Sequence, residues 1–318
     1  MDPLVSALQR LGIDPLVSMP SPGSTAQTQT ENAFGFKWSQ RATYESPTFQ
    51  AATRTWLLER YCGGDERVVG TWLGGGGRLI LDAGCGAGNP ALLLFGEHLK
   101  SNDYLGVDIS SAIDVARQRF SELGLPGDFL RANLMELPVP DGSIDLALSE
   151  GVLHHTDNTA AALAAVVRKV KVGGRVMFYV YAKKAPLREF ADDHIRSEIR
   201  ALTDAEAWDA LMPLTRLGMA LGQLGATVNI PDDVPQLGIK KGQYDLQRFI
   251  YWHFCKMYYR EDFSEAENNH VNFDWYRPLN SHRHTPEEVR AWCDRLHLAI
   301  ERLDIQEAGI TVVATRQA

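Results

Sequence analysis

Short apolar runs alternate with helical patterns between Arg78 and Ala182 of this 318-residue chain. The runs are RLILDAG, DYLGVDIS, GDFLRAN, SIDLALS and GGRVMFYVYA, and helical patterns start near Ala91, Ala112 and Thr159. Strands that alternate with helices predict βαβ units, in which helices cover both faces of a parallel sheet. Two further runs, AIERLDI and GITVVAT, predict an antiparallel pair of strands at the sheet edge. The predicted fold class is therefore α/β, with a seven-stranded, mostly parallel sheet.

The rest of the chain has different patterns. From about Pro186 to Asn272 it is helical and rich in aromatic residues, which predicts a helical insertion into the α/β domain. The polar tract Ser21 to Ala33 predicts a linker, and a helix follows from about Ser46 to Tyr61. The predicted divisions are residues 1–77 (N-terminal helical and linker segment), 78–185 (core), 186–272 (helical insertion) and 273–318 (last helix and closing strand pair).

Charge and composition exclude several classes of protein. Lys and Arg number 32 against 40 Asp and Glu, so the surface at large repels nucleic acid. There is no run of about 18 apolar residues and no basic-then-apolar leader, which predicts a cytoplasmic protein without a membrane partner. Four scattered cysteines predict reduced thiols. A homodimer is left open.

Three glycines in LILDAGCGAGNP, Gly84, Gly86 and Gly88, lie between the first predicted strand and a helix. There the backbone must turn tightly and approach a ligand closely. Asp108 ends the next strand, twenty residues after Gly88, so its carboxylate faces the same crevice and can accept both hydroxyls of a ribose. This arrangement predicts nucleoside binding.

Two kinds of nucleotide site compete for this motif. A dinucleotide site prefers G-x-G-x-x-G, with a pyrophosphate at the helix N-terminus. Here Asn89 stands where the last glycine is expected, and Asp82 before the glycines repels a pyrophosphate while suiting a cationic amino acid. A nicotinamide oxidoreductase is therefore disfavoured.

The motifs DAGCGAG, GVDIS and LRANLMELPVPDGSIDLALSEGVLHH together resemble the class I S-adenosylmethionine-dependent methyltransferases. The resemblance covers roughly Arg78 to Ala182 and the final strand pair, and it is strongest to the small-molecule and quinone-biosynthesis branch. It implies a Rossmann-like fold, S-adenosyl-L-methionine as cofactor, and in-line methyl transfer to a small metabolite or natural-product intermediate. The helical insertion would then be a cap over the substrate.

The resemblance also implies cofactor contacts. These would be Gly84, Gly86 and Gly88 along the methionine part, Asp82 at the turn or the amino group, Asp108 on the ribose, Ile109, Asn133 and Leu134 around the adenine, and Ser149 and Glu150 beneath the sulfonium. Many relatives have an aspartate where this chain has Asn133. Trp38 and Tyr44, with Phe34 and Phe36, either fold across the cofactor, because aromatic faces attract cations, or pin the N-terminal segment to the sheet.

Candidate catalytic residues follow the fourth and fifth strands. His154 and His155 lie at the carboxyl edge of the sheet, where ligands bind in open α/β sheets, so one of them can act as base or orient the substrate. The alternative is a structural loop feature. Tyr181 is nearest the carboxyl end of its strand, and either reaches the pocket or packs beneath the insertion.

Candidate substrate contacts lie in and after the insertion. They are Asn272, Asp274, Tyr276, Arg283 and His284 in the connector to the last helix, and Trp252 and Tyr259 in a stripe with Phe249, His253 and Lys256 at helical spacing. The connector is alternatively held by its own hydrogen bonds, and the stripe is either core or lid.

Charged and histidine-rich positions admit further uses. Arg175, Lys183, Lys184 and Arg188 suit an anionic substrate group or are solvated surface charge. We expect no metal, because the pair His282 and His284 lacks a third ligand at recognisable spacing. Two other functions share the cofactor motifs: a non-standard use of the cofactor, by transfer of a modified methyl group or by cyclisation, and a non-catalytic sensor that binds it.

Overall fold

A computed structural model describes residues 6–14 and 23–318 of the chain. The described residues form two compact units. The first contains the described residues up to Ser39, together with Ala51–Ala182 and Asn280–Ala318, and the second contains Gln40–Gln50 and Lys183–Leu279. The second unit includes the whole predicted insertion of 186–272, and it adds residues 40–50, which no sequence pattern linked to it.

Strands and helices alternate through the first unit. The described strands are β1 (Leu79–Ala83), β2 (Asp103–Asp108), β3 (Asp128–Arg131), β4 (Ile144–Glu150), β5 (Val170–Tyr181), β6 (Thr227–Ile230), β7 (Gly242–Asp245), β8 (Leu298–Ile305) and β9 (Gly309–Arg316). The described α-helices are α1 (Ala7–Leu11), α2 (Thr25–Ser39), α3 (Pro47–Cys62), α4 (Arg67–Leu73), α5 (Asn89–Phe95), α6 (Ala112–Glu122), α7 (Thr159–Lys169), α8 (Pro186–Glu198), α9 (Asp204–Gln223), α10 (Leu246–His253), α11 (Glu265–Tyr276) and α12 (Pro286–Arg295).

The first unit is built on a seven-stranded sheet in the order β3-β2-β1-β4-β5-β9-β8. The strands β1 to β5 pair in parallel, whereas β9 runs antiparallel to both β5 and β8. This confirms the predicted mostly parallel sheet and its closing antiparallel pair. Because β1 is central in a parallel sheet, ligand groups at its carboxyl end share one crevice with those after β2 and β4.

Each face of the sheet has its own hydrophobic core. Leu79 and Leu81 of β1 point to the face covered by α7 and α12, while Ile80 between them points to the face covered by α3 to α6. All residues of β1 are buried, as expected for a strand with helices on both sides. Burial on two faces explains why continuous apolar runs mark these strands in the sequence.

The predicted linker in the polar tract is wrong from Thr25 onward, because that part belongs to α2. Polar side chains of this helix are buried and satisfied by the chain itself. Thr30 is 1% exposed, and its Oγ1 accepts a hydrogen bond from the backbone N–H of Asn280 at 3.1 Å. Glu31 forms an ion pair with Arg131 at 2.7 Å. The beginning of the tract, Ser21 and Pro22, lies outside the described residues.

The second unit consists of α8 to α11, the β6–β7 hairpin and the chain around residues 40–50. Ser264 and Glu267 form a capping box that starts α11, so the predicted connector is helical as far as Tyr276. The described residues contain no helix that is both long enough and apolar enough to cross a bilayer.

The aromatic stripe does not continue as one helix, because α10 ends at His253. Beyond His253 the chain is irregular, and side-chain oxygens accept hydrogen bonds from the backbone N–H groups of alternate residues. Lys256 N donates to Asp192 Oδ1 at 3.0 Å, and Tyr258 N donates to Asn272 Oδ1 at 2.8 Å. These buried acceptors replace the carbonyls of a continued helix, so Lys256 and Tyr259 do not share a helix face with Trp252.

Candidate functional site

The glycine-rich turn links β1 to α5 in the first unit. Gly84, Gly86 and Gly88 all have positive φ, at 88°, 52° and 74°. A Cβ on Gly86 would lie 2.6 Å from Nε1 of Trp38, which is too close for any real contact. Gly86 is therefore required both for its left-handed backbone and for the approach of Trp38.

Asp108 is tied to the same turn. Its Oδ2 accepts the backbone N–H of Gly86 at 2.8 Å, and its Oδ1 accepts the N–H and hydroxyl of Ser110 at 2.8 and 2.7 Å. Burial raises the pKa of Asp108, and the hydrogen bonds from Ser110 and Gly86 oppose that rise. A carboxylate has about four acceptor positions, so one remains for a ligand hydroxyl.

Asp82 is a second acid beneath the turn, and it is 1% exposed. The Tyr104 hydroxyl donates to its Oδ2 at 2.8 Å. Burial raises the pKa of Asp82 to about 7, against the Tyr104 hydrogen bond, and the charges of Asp108 and Glu150 raise it further. The acids Asp82, Asp108 and Glu150 thus lie at the same end of the sheet, and Asp82 holds its proton below about pH 7.

Glu150 ends β4 and is held by two side chains of α3. Arg60 Nη2 pairs with its Oε1, and the Tyr61 hydroxyl donates to its Oε2 at 2.5 Å. The Arg60 guanidinium lies 3.3 Å from the ring centroid of Trp56 and 4.1 Å from that of Tyr179. Within the described residues, its buried Nε and Nη1 have no hydrogen-bond partner.

Sequence reasoning did not select Arg60 or Tyr61 as site residues. They lie inside a helix of ordinary composition, 90 and 89 residues before Glu150, so no local spacing links them to it. The one signal was the sequence WLLERY, in which an arginine is flanked by aromatic residues.

Three of the predicted cofactor contacts form hydrogen bonds or pack within the chain itself. They are Ser149, Asn133 and Leu134. Ser149 Oγ donates to the carbonyl of Ala83 at 2.8 Å, which joins β4 to β1 just before the glycine turn. Asn133 caps a short 3-10 turn by accepting from Met135 N at 3.0 Å, so its oxygen is partly used. Leu134 is buried in the core. Ile109 follows Asp108, and its carbonyl accepts from Arg131 Nε at 2.9 Å.

The aromatic residues that precede the first strand in the sequence lie in two different units. Trp38 lies in the last turn of α2 beside Gly86, with Lys37 Nζ 4.1 Å from its ring centroid. The Phe34 ring lies 4.8 Å from that of His155. Tyr44 instead belongs to the second unit, fully buried, with its ring 5.7 Å from that of His270. A cofactor contact by Trp38 or Tyr44 stays a prediction.

The candidate catalytic residues form one buried aromatic cluster in the first unit. The rings of His154 and Tyr181 lie 3.7 Å apart at 33°, and His154 also lies 4.2 Å from His155. His155 Nδ1 is 2.6 Å from the carbonyl oxygen of Asn280. A carbonyl only accepts, so the neutral ring carries its proton on Nδ1 and its lone pair on Nε2. Catalytic roles for the three residues stay predictions.

The candidate substrate residues are distributed over both units. Trp252, Tyr259, Asn272, Asp274 and Tyr276 belong to the second unit, and Arg283 and His284 belong to the first. The amide of Asn272 is fully buried and bonded to Tyr258 N and Thr215 Oγ1. These contacts account for Asn272 without a ligand.

The other members of that group also have contacts within the chain. The hydroxyl of Tyr276 is 2.7 Å from both Asp192 Oδ1 and the Lys256 carbonyl. His284 Nε2 lies 3.0 Å from Thr159 Oγ1. The Tyr259 ring packs where a side chain on Gly222 would stand, and that of Trp252 lies 4.4 Å from Tyr251. Substrate contact by these residues stays a prediction.

The turn fits a cationic nucleoside better than a dinucleotide. Space at Gly86 is closed to any side chain, and an acceptor position of Asp108 remains beside it. Asp82 and Glu150 lie at the same sheet edge, where carboxylates attract a sulfonium or an ammonium and repel a pyrophosphate. The described residues thus fit S-adenosylmethionine.

Comparison with known proteins agrees with this geometry. A family model described as "Methyltransferase domain" matches residues 81–178. The chain is 27% identical over 186 residues to a malonyl-[acyl-carrier protein] O-methyltransferase of Serratia marcescens, covering 56% of this chain and 68% of that protein. It is 33% identical over 117 residues to a phthiotriol/phenolphthiotriol dimycocerosates methyltransferase of Mycobacterium tuberculosis (strain ATCC 25618 / H37Rv), covering 36% and 41%.

The matched part spans less than half the length of several other curated relatives. Among solved structures, magnesium protoporphyrin IX methyltransferase from Synechocystis PCC 6803 with bound SAM matches with a TM-score of 0.47 and 12% identity, covering 94% of this chain and 100% of that one. Residues 81–178 thus carry a methyltransferase domain, and the glycine turn between β1 and α5 fits S-adenosylmethionine as its cofactor.

Proposed function

We propose that the protein transfers a methyl group from S-adenosylmethionine to a small-molecule acceptor. The observation that carries the proposal is the bonded turn of Gly86 and Asp108 beside two further acids, Asp82 and Glu150. Two curated relatives support methyl transfer to a metabolic intermediate, since one is named a malonyl-[acyl-carrier protein] O-methyltransferase and the other a phthiotriol/phenolphthiotriol dimycocerosates methyltransferase.

Each acid has a separate part in this proposal. Asp108 uses its remaining acceptor position for a ribose hydroxyl, while its bonds to Gly86 and Ser110 keep the carboxylate oriented. Asp82, which ionises at about pH 7, adds negative charge beside the bound cofactor at higher pH, and Glu150 balances the buried Arg60. Arg60 and Tyr61 orient Glu150, and Trp38 closes the turn at Gly86.

Bound S-adenosylmethionine supplies an activated methyl group, so the chain mainly has to align the acceptor with it. Such positioning can lower a barrier by several kcal/mol. We assign acceptor orientation to the cluster of His154, His155 and Tyr181, which lies after β4 and at the end of β5 on the carboxyl edge of the sheet. His155 is the member that would take a proton, because the carbonyl of Asn280 holds its Nδ1–H and leaves the lone pair on Nε2.

The first experiment is calorimetry of the full chain with S-adenosylmethionine, S-adenosylhomocysteine and NADH. We expect the first two to bind and NADH not to bind. Asp108→Asn should weaken the first two by about tenfold or more, since a hydrogen bond to a charged group contributes about 1.5–3 kcal/mol. Asp114→Asn is the matched control, because Asp114 is 70% exposed and forms an ion pair with Arg117 on the surface of α6.

Acceptors are then screened with cofactor carrying a deuterated methyl group, and products are detected by mass spectrometry. A labelled small molecule supports the proposal. Binding of NADH alone would overturn it at the cofactor. Cofactor binding with label found only in nucleic acid or on amino-acid side chains, and on no small molecule either free or attached to a carrier protein, would overturn it at the acceptor.

A further inference from the structure

Asp82 of β1 is a buried carboxyl group that the chain satisfies at one oxygen. The Tyr104 hydroxyl donates to its Oδ2 at 2.8 Å. Among the described residues no group donates to its Oδ1, and no cation forms an ion pair with it. Its partners in the strand register are Gly106 on β2 and Leu148 on β4, neither of which has a polar side chain. The flanking strands therefore supply no positive charge at this point.

The titratable groups that face Asp82 are either neutral or acidic. Burial raises the pKa of Tyr104 on β2 and of Cys85 in the glycine turn well above their usual values, so both stay uncharged near neutral pH. Asp108 at the end of β2 and Glu150 at the end of β4 carry negative charge, which disfavours a further carboxylate beside them.

Three cations on the surrounding helices have other partners. Arg60 of α3 pairs with Glu150. Arg119 of α6 donates to a carbonyl oxygen of the glycine turn at 2.7 Å and to a side-chain oxygen at the start of α5 at 3.1 Å. Lys37 of α2 has its Nζ 4.1 Å from the ring centroid of Trp38. In the described part of the chain, none of the three forms an ion pair with the carboxyl of β1.

A carboxyl group in these surroundings is more stable with its proton than without it. A buried charge without a counter-charge is unfavourable, and neighbouring carboxylates add repulsion. Together these effects raise the pKa of Asp82 to about 7. A cation that binds beside Asp82 would supply the missing counter-charge and favour the ionised form. Binding of a cation at this place is therefore linked to loss of a proton.

We propose that Asp82 releases a proton when S-adenosylmethionine binds, and that the carboxylate so formed balances positive charge of the cofactor. This inference rests on the proposed function, because that function brings the cofactor to the glycine turn. The O–H bond of Asp82 breaks, its electron pair stays on the carboxylate, and the proton passes to the buffer. The cation beside Asp82 is either the ammonium of the methionine part or the sulfonium. S-adenosylhomocysteine has the ammonium but no sulfonium, so it distinguishes the two.

Calorimetry of the full chain at pH 6 counts the protons. Binding is measured in two buffers of different ionisation enthalpy, and the difference in binding heat gives the number of protons released. At this pH Asp82 is largely protonated before binding, so we expect release of about 0.9 proton per cofactor. Asp82→Asn should release fewer protons by that amount, because an amide does not ionise. Its amide oxygen still accepts from Tyr104.

The affinity for S-adenosylmethionine gives a second measurement of the same linkage. Between pH 6 and pH 8 the affinity of the wild type should rise by about tenfold relative to that of Asp82→Asn. Tyr104→Phe should move the midpoint of this rise to higher pH, because it removes the hydroxyl that favours the Asp82 carboxylate and keeps the ring that stacks on Phe120. A purely structural role of Asp82 would leave the midpoint unchanged.

Asp103→Asn is the matched control. Asp103 is the first residue of β2, at the opposite end of that strand from Asp108, and its side chain is 10% exposed and pairs with Arg10 at 2.5 Å. This variant should keep both the proton release and the rise of affinity with pH. If Asp82→Asn does not fold, the proton count of the wild type and the midpoint of Tyr104→Phe decide the question.

The two ligands and the variants separate the outcomes. Larger release with S-adenosylmethionine than with S-adenosylhomocysteine identifies the sulfonium, equal release identifies the ammonium, and either supports the proposal. Cofactor binding without proton release would overturn this inference alone, as would equal release by the wild type and Asp82→Asn. Failure of the wild type to bind S-adenosylmethionine at both pH values would instead reject the proposed function.

Discussion

Trp38 packs closely against Gly86 in the glycine turn, and adding a single methyl group at Gly86 is enough to test this contact. We predict that Gly86→Ala costs about 2–4 kcal/mol of unfolding free energy, because left-handed strain adds to a clash with the indole. Urea denaturation measures the loss. The same change should also weaken S-adenosylmethionine binding.

Gly124 offers the control for this change. Its φ is +63°, and a Cβ there would meet no atom within 4 Å, so Gly124→Ala reports strain alone. We expect about 1 kcal/mol and unchanged cofactor affinity. Equal losses for the two variants would contradict a contact between Gly86 and Trp38.

Asp82 makes stability depend on pH. Its pKa is about 7 in the folded chain and near 3.8 when unfolded, so between these values the folded state holds the extra proton. Stability contributed by that proton is present at low pH and is lost as pH rises toward 7, by up to roughly 4 kcal/mol. Asp82→Asn should remove this dependence, since the amide oxygen still accepts from Tyr104.

Urea denaturation at pH 5 and pH 8 measures this effect. The unfolding free energy of Asp82→Asn minus that of the wild type should be more positive at pH 8 than at pH 5. The same difference at both pH values would show that Asp82 ionises normally in the folded chain.

Among the elements, α2 depends on buried polar contacts. We predict that Thr30→Val costs about 1–3 kcal/mol, because the buried N–H of Asn280 loses its acceptor while the side-chain shape is kept. Cofactor affinity should fall as well, because α2 carries Trp38. Thr28→Val is the control, since Thr28 is exposed on the same helix. Equal denaturation midpoints for the two variants would contradict a role for the hydrogen bond.

Whether the buried residues of an element are apolar or polar explains how well the sequence predicts that element. The strand β1 is buried along its whole length, so the apolar run LILDA marks it directly. In α2 the buried positions include Gln27 and Thr30, whose polar atoms are satisfied by distant residues, and the pattern therefore resembles a linker. The end of α10 at His253 depends on acceptors such as Asp192 and Asn272, which no local pattern contains.

The residues of the candidate site also differ in how well the sequence predicts them. Gly86 and Asp108 belong to a motif with fixed spacing, and the structure joins them by a hydrogen bond. Arg60 and Tyr61 reach Glu150 only through the folded chain. A local motif therefore predicts the turn and its acid, whereas side chains that orient the acid require the tertiary structure.

At the scale of the whole molecule, loss of the Asp192 charge should destabilise the second unit more than the first. Asp192→Asn leaves Arg188 buried without its counter-charge, which should cost about 3–5 kcal/mol. We predict that this loss falls on the second unit, so that hydrogen exchange accelerates in residues 183–279 and stays slow in the sheet of the first unit. S-adenosylmethionine should still bind.

Asp193→Asn is the neighbouring control, with a carboxylate that is 56% exposed. It should leave exchange unchanged in both units. Equal acceleration of exchange in both units of Asp192→Asn would show that they unfold as one.

The bridge between Ala182 and His284 brings the chain back to the sheet edge beside the point where it left. Between them lies the larger segment of the second unit, so its departure and return use neighbouring positions at the end of β5. Such an attachment lets this segment change length or sequence over evolution without moving a strand. It also allows residues 183–279, with the short stretch 40–50, to be exchanged between relatives that share the same sheet, which would test the predicted role of this unit as a cap over the substrate.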